Sequence, residues 1–215
     1  MGTKGRRKAM EPIDYIIEGE RIAIEDINNI AEISNQVYEE KCCNIKLYDK
    51  PIYFSKECIE KYSMDFWHMA SLENKDQKIK NSSLPYYNIK PCINTTYSKC
   101  CQNCINHDFG INVRQKRRDK CPYRMSKISL FPKIIEKANS KEGNVKIWKI
   151  SENKSRNQLE ERIRIRYQNG NEDYLIILKD IGTSYVFITA YPVFEYRESK
   201  DLDKEYNAKD TVIIK

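Results

Sequence analysis

Two histidines, His68 and His107, are the only side chains in this chain whose ordinary pKa suits proton transfer near neutral pH. His68 lies in Phe66-Trp67-His68-Met69-Ala70, where an imidazole among apolar neighbours is either a satisfied packing residue or an acid–base group. A second constellation is Cys92, Cys100, Cys101, Cys104, His107 and Cys121. The Cys101-x-x-Cys104 spacing lets two thiolates grip one tetrahedral ion at about 2.3 Å, with Cys92, His107 or Cys121 completing four ligands. Structural zinc is one reading; thiols with no metal, or redox chemistry, are the others. A third is the basic stretch Arg114, Lys116, Arg117, Arg118, Lys120, Arg124 and Lys127, broken by one acid, Asp119. Cations this dense are either a solvated loop or a surface for phosphates, which neutralise them while releasing counterions. Tyr123 within the run adds a ring on which a base could stack. The fourth is the apolar stretch from Val186 to Val193. Period two puts Thr189 and Tyr191 on one face with Phe187, and Ile188 and Ala190 on the other. Two hydroxyls then point together, for chemistry or because Thr and Tyr suit a half-buried edge strand.

These groups need elements to position them. Ile22, Ile24, Ile27, Ile30, Ile33 and Val37 fall largely on one helical face, predicting an amphipathic helix from Ile22 to Tyr38. A strand is expected within Ile45 to Tyr53 and a helix over Ser55 to Tyr62. Cys42, Cys43 and Cys58 fall in or beside predicted helix and read as core residues. The polar stretch from Asn74 to Thr96 reads as a long loop, for binding or organised by a metal. Leu130 to Ala138 reads as a helix with Pro132 in its first turn. Strands follow at Val145 to Ile150, Glu161 to Tyr167, Asp173 to Lys179 and Ser184 to Tyr191. The Asn169-Gly170-Asn171 and Asp180 to Thr183 turns are too short for parallel crossovers, so an antiparallel meander is expected. A charged surface helix closes the chain from Tyr196 to Asn207.

The predicted fold is α+β, with N-terminal helices packed on a C-terminal twisted antiparallel sheet of about four or five strands. At 215 residues and 25.5 kDa the chain is long enough to bury its own core. Charged residues make up 32% and mean hydropathy is -0.74, and no apolar run approaches the roughly 20 residues that cross a bilayer. Met1 to Met10 are polar and basic, so no secretory signal is expected and a cytoplasmic location follows. The net charge of +7 overstates the case for a polyanion partner, because Lys4, Arg6, Arg7 and Lys8 supply four of those charges.

The chain resembles the phage-associated branch of the barnase, EndoU, colicin and RelE (BECR) nucleases. The residues that carry the likeness are Phe66-Trp67-His68-Met69, the Arg-rich lead into Phe131-Pro132-Lys133-Ile134-Ile135-Glu136, Val145 to Trp148, Asp173-Tyr174-Leu175-Ile176-Ile177 and Thr189-Ala190-Tyr191-Pro192-Val193. It covers roughly Ile52 to Tyr206; the first fifty residues and the cysteine loop have no counterpart in it. The resemblance implies metal-independent cleavage of RNA by transesterification to a 2',3'-cyclic phosphate. It implies His68 as acid or base, Arg124 or Arg118 as phosphate stabiliser, and Thr189 and Tyr191 as hydroxyls orienting the phosphate. Arg114, Lys116, Arg117, Arg118, Lys120 and Lys127 would hold RNA. No cofactor is implied for catalysis; zinc, if bound by Cys92, Cys101, Cys104 and Cys121, is structural. A toxin or prophage setting is expected, with an antitoxin or immunity-type protein as partner. Residues 1–50 would form a tail and amphipathic helix, 51–207 the nuclease domain with a cysteine-rich insertion at about 74–121, and 208–215 a tail. The rival reading is a zinc-stabilised, non-catalytic module that binds nucleic acid or protein through the cysteine loop and the basic run.

Overall fold

The structure, a computed structural model, describes residues 14–17, 20–23, 27–73, 110–113, 116–155, 158–170, 172–193, 196–208 and 211–214. Cys92, Cys100, Cys101, Cys104, His107, Arg114 and the 74–96 loop lie outside them.

Four strands form the expected meander: β10 (Val145–Ser155), β11 (Gln158–Asn169), β12 (Glu172–Asp180) and β13 (Tyr185–Pro192), each antiparallel to the next. The β11–β12 turn is tight because Asn169 pairs with Glu172 and Gly170 adopts φ +57, which lacks the Cβ penalty other residues meet there. The sheet is wider than the meander. Its seven strands run β14-β10-β11-β12-β13-β4-β3, with β3 (Lys46–Leu47), β4 (Lys50–Tyr53) and β14 (Val212–Ile213) at the edges. The β4 strand joins β13 in parallel, Tyr185 opposite Ile52, so the sheet is antiparallel but for that one pair.

One face of the sheet carries the main core. Helix α1 (Ile27–Lys41) contributes Ile30, Ala31, Val37 and Tyr38. Helix α2 (Met64–Ala70) contributes Phe66, Trp67 and Met69, and helix α3 (Pro122–Ser126) contributes Tyr123 and Met125. Helix α4 (Leu130–Asn139) places Phe131, Ile134, Ile135 and Ala138 inward, the i, i+3, i+4, i+7 stripe that one helical face requires. Phe54 stacks on Phe187 at 5.1 Å between ring centroids and meets Tyr38 and Phe131 edge-on, knitting helices to sheet. The other face is covered by α5 (Tyr196–Tyr206), over a smaller cluster of Trp148, Leu175, Ile177, Val193 and Leu202. Smaller pieces complete the fold: the hairpins β1 (Asp14–Ile17) with β2 (Glu20–Ala23) and β5 (Cys58–Ile59) with β6 (Tyr62–Ser63), and a three-stranded sheet. In that sheet β9 (Lys116–Lys120) lies between β7 (Ser71–Glu73) and β8 (Gly110–Val113). Among the described residues no helix is long and apolar enough to cross a membrane.

Three local expectations are corrected. Residues 20–23 are strand, and α1 begins only at Ile27, because Ile22 and Ile24 satisfy a two-residue period as well as a helical one. Residues 58–63 form a hairpin turning at Glu60 (φ +54), and the helix starts beyond it, where the Ser63 hydroxyl accepts from the Asp65 N–H at 3.2 Å. Tyr62 then packs on Phe66 and Trp67, a contact that decides the boundary and that local pattern does not encode. Cys42 is buried as expected of core, whereas Cys58 is exposed.

Candidate functional site

A bulge in β13 sets the geometry of the strand that carries the two hydroxyls. Thr189 pairs with Ile177 but Phe187 with Leu178, so Ile188 has no opposite number. The extra residue shifts the alternation. Tyr191 falls opposite Leu175 and Thr189 opposite Ile177, both on the α5 face, while Phe187 belongs to the main core on the other. Thr189 and Tyr191 do share a face, and the expectation that Phe187 shares it is corrected.

Tyr191 is the best-defined member. Its hydroxyl donates to Glu198 Oε1 at 2.8 Å, and the Arg124 guanidinium lies over its ring at 5.2 Å. Burial raises its pKa well above the ordinary tyrosine value; the neighbouring Glu198 carboxylate adds to this, and Arg124 and Arg164 oppose it. Tyr191 therefore keeps its proton and acts as a hydrogen-bond donor at neutral pH.

Arg124 is held from behind. Ser71, just past α2, donates its hydroxyl to the Trp67 carbonyl at 2.5 Å. The Ser71 carbonyl accepts from Arg118 Nη2 at 2.9 Å and Arg124 Nη1 at 2.7 Å, and Arg118 Nε reaches the Ser71 hydroxyl at 2.7 Å. Ser71, Arg118 and Arg124 are all buried, so two cations of the basic run turn inward. Of the rest, Lys120 lies over the Trp67 ring at 5.2 Å and reaches Glu60 at 3.4 Å, and Lys127 pairs with Glu172 at 2.6 Å. Lys116 and Arg117 are exposed. Most of the run thus belongs to a central strand and a short buried helix.

His68 is the one residue of α2 that is not buried, and it stands one helical turn before Ser71. The α2 apolar side chains join the main core, so His68 rides on the side of the sheet opposite Thr189 and Tyr191, next to the β13 strand against which α2 packs. Arg124 is what reaches across, bonding the Ser71 carbonyl beside α2 while lying over the Tyr191 ring on the other face. Cys121 is buried just before α3, its N–H bonded to the Ala70 carbonyl at 2.9 Å. Among the described residues no group of three or more His, Cys, Asp or Glu could hold a metal, and the other three proposed ligands lie outside them.

The second set of functional candidates was not singled out from sequence. Arg162, Arg164 and Arg166 alternate with Ile163 and Ile165 along β11, which puts three guanidiniums on the face that carries Tyr191. Arg166 makes a two-pronged pair with Asp173, Nε–Oδ1 2.8 Å and Nη2–Oδ2 2.6 Å, both side chains about 1% exposed. Its Nη1 also donates to Asp203 Oδ1 at 3.0 Å and to the Ser199 carbonyl at 3.1 Å. Arg164 bridges Glu152 at 2.8 Å and Glu205 at 2.9 Å, and Trp148 Nε1 donates to Glu205 at 2.6 Å. The signal was present as Arg-x-Arg-x-Arg, the period of a strand with one charged face. A half-open cleft of about 330 Å³ between Tyr48, Ala138, Lys141, Val145, Tyr206 and Ile214 contains none of the site residues. No family model matches the chain, and neither a curated protein nor a solved structure does.

Proposed function

We propose that the chain is a metal-independent endoribonuclease of BECR type that cleaves RNA by transesterification. The observation that carries this reading is a tyrosine held as a proton donor under a buried guanidinium, with a second hydroxyl, Thr189, two residues away on the same face. In the reaction the 2'-oxygen attacks the adjacent phosphorus and the bond to the 5'-oxygen breaks, leaving a cyclic phosphate. Tyr191 gives its proton to the departing 5'-oxygen, while His68, on the other side of the sheet, takes the 2'-hydroxyl proton only of an RNA strand that folds over the end of β13. Arg124 faces the charge that grows on the phosphorane, and its position over the Tyr191 ring also favours the transient tyrosinate. Thr189 orients a phosphate oxygen. A toxin or prophage role, with an antitoxin or immunity-type partner, belongs to the same reading.

A second reading, a non-catalytic binding module, is favoured by one observation: Arg118 and Arg124 both bond the Ser71 carbonyl, as structural arginines do. One experiment separates the two. Purified protein is incubated with total RNA and EDTA beside His68→Ala and Tyr191→Phe, and the ends are mapped. Cyclic-phosphate ends from the wild type, lost in both variants, support the nuclease. Intact RNA with the wild type, or cleavage unchanged in Tyr191→Phe, overturns it; RNA binding preserved in both variants without cleavage supports the module.

A further inference from the structure

Helix α5 is an unusual cover for a sheet. Among its described side chains only Leu202 is a buried apolar one, joined by Tyr206, whose ring meets Trp148 edge-on at 5.5 Å. The rest of its attachment is polar. Glu198 takes the Tyr191 hydroxyl, Ser199 and Asp203 take Arg166, Asp203 takes Lys146 at 3.3 Å, and Glu205 takes Arg164 and the Trp148 N–H. Its cations do the opposite: Arg197, Lys200 and Lys204 are exposed. The helix therefore sorts most of its charge, with Glu198, Asp203 and Glu205 toward the sheet and its bases, together with Asp201, toward water.

The sheet face beneath has the complementary sign. Among its described side chains it bears Lys146, Arg162, Arg164, Arg166 and Lys179 against Glu152, Glu160 and Asp173, a surplus of two positive charges. The three inward carboxylates of α5 convert that surplus into a deficit of one. Beside these cations stand Trp148 and Tyr191, rings of the type that stack on bases. A row of cations, flanking aromatics and hydroxyls is what a single phosphodiester strand needs, and α5 fills it with carboxylates placed as phosphate oxygens would be.

We propose that this face of the β10–β13 meander is the binding site for a single-stranded phosphodiester chain, and that α5 is a displaceable strap that occupies it with Glu198, Asp203 and Glu205. The inference rests on the reading that Tyr191 meets RNA, and it does not depend on cleavage. The strap's own carboxylates are part-exposed, Asp203 by 33% and Glu205 by 30%, so salt weakens their pairs and a polyanion can take their place, while the apolar cluster around Leu202 sets the cost of opening. The affinity measured for RNA is then the affinity of the open form reduced by the fraction of molecules that are open.

The test is binding of a fluorescently labelled single-stranded RNA oligonucleotide, with a DNA of the same sequence alongside, followed by anisotropy. Two variants loosen the strap: Glu198→Gln/Asp203→Asn/Glu205→Gln removes its charge, and Leu202→Ala removes its apolar anchor while leaving every charge in place. A charge-matched control, Glu40→Gln/Asp49→Asn/Glu136→Gln, changes exposed acids elsewhere. Both strap variants should bind RNA about tenfold tighter or more than wild type, and the control should gain far less. In hydrogen exchange on the unaltered full chain, the amides of residues 196–206 should lose protection when RNA is added. Equal gains in control and strap variants, a Leu202→Ala variant that folds but binds as wild type, or full α5 protection in the RNA complex would each overturn the proposal. Tighter binding with no cleavage in any variant upholds the strap and defeats only the nuclease; cleavage by wild type with α5 protection intact does the reverse. Equal affinity for DNA marks the shared phosphodiester as what is recognised, and preference for RNA adds the 2'-hydroxyl.

Discussion

Replacing Asp173 by Asn should cost about 3 kcal/mol of folding stability, at the low end of what loss of one partner of a buried ion pair costs. The carboxylate receives Nε and Nη2 of Arg166 at 2.8 and 2.6 Å and the Ser199 hydroxyl at 3.2 Å. An amide there turns an NH2 group toward donors that need acceptors, and it leaves a guanidinium about 1% exposed without its nearest negative charge. The loss stays near the low end because Asp203, about a third exposed, remains 3.0 Å from Nη1. For a protein whose total stability is on the order of 5–15 kcal/mol this is a large fraction, readily measured by urea unfolding followed by circular dichroism. The companion variant Arg166→Met/Asp173→Leu removes both charges and should return to within about 1 kcal/mol of wild type, since well-packed apolar residues replace buried pairs nearly neutrally. A loss below about 1 kcal/mol for Asp173→Asn, or a double variant as unstable as the single one, would refute the view that this pair is dry and interdependent.

Other outcomes follow from single contacts. Tyr191→Phe should lower stability by about 1 kcal/mol in urea unfolding through loss of the bond to Glu198, while RNA cleavage in a gel assay falls about a hundredfold, the scale of losing a positioned donor. Burial raises the thiol pKa of Cys42, so at pH 8 a smaller fraction is thiolate than for a solvated cysteine. Peptide mapping after iodoacetamide should therefore show Cys58 labelled early and Cys42 late, with the gap closing in urea. Gly182→Ala should cost about 1 kcal/mol because φ there is +87, whereas Gly143→Ala, with no positive φ and no atom within 4 Å of the added methyl, should be neutral or stabilise by up to about 1 kcal/mol in thermal melts.

The elements legible in the sequence were those set by local pattern. The four meander strands and the α4 helix were readable because their periods run long enough to exclude rivals, and Asn169-Gly170 marked the tightest turn. The two-residue strands β3 and β14, the parallel joining of β4 to β13 and the 58–63 hairpin are short pieces decided by what they pack against. Expecting helix at 55–62 ignored Ser63, a better N-cap than Ser55 because Phe66 and Trp67 follow it onto the core.

The site was less legible, for a reason that lies in the chemistry of arginine. A run such as Lys116 to Lys127 displays its charge in the sequence but not the direction of each side chain, and burial is decided by acceptors distant in the chain, here the Ser71 carbonyl some fifty residues away. The converse holds on β11, where Arg-Ile-Arg-Ile-Arg looked like an ordinary strand with a solvated face. Its cations are met by Asp173, Asp203 and Glu205, and two of those arrive on a helix whose mean composition suggests nothing but surface. One residue of slip in β13 decides which hydroxyls these cations can serve: without the bulge at Ile188, either Thr189 and Tyr191 or Phe187 would point into the wrong layer. Deleting Ile188 tests this directly. It leaves Phe187 opposite Leu178, Thr189 opposite Ile177 and Tyr191 opposite Leu175 in a continuous ladder with each side chain on its present face, so the deletion should cost no more in urea than Ile188→Ala, and a far larger loss would show that the strand needs the bend of the bulge and not only the facing it sets.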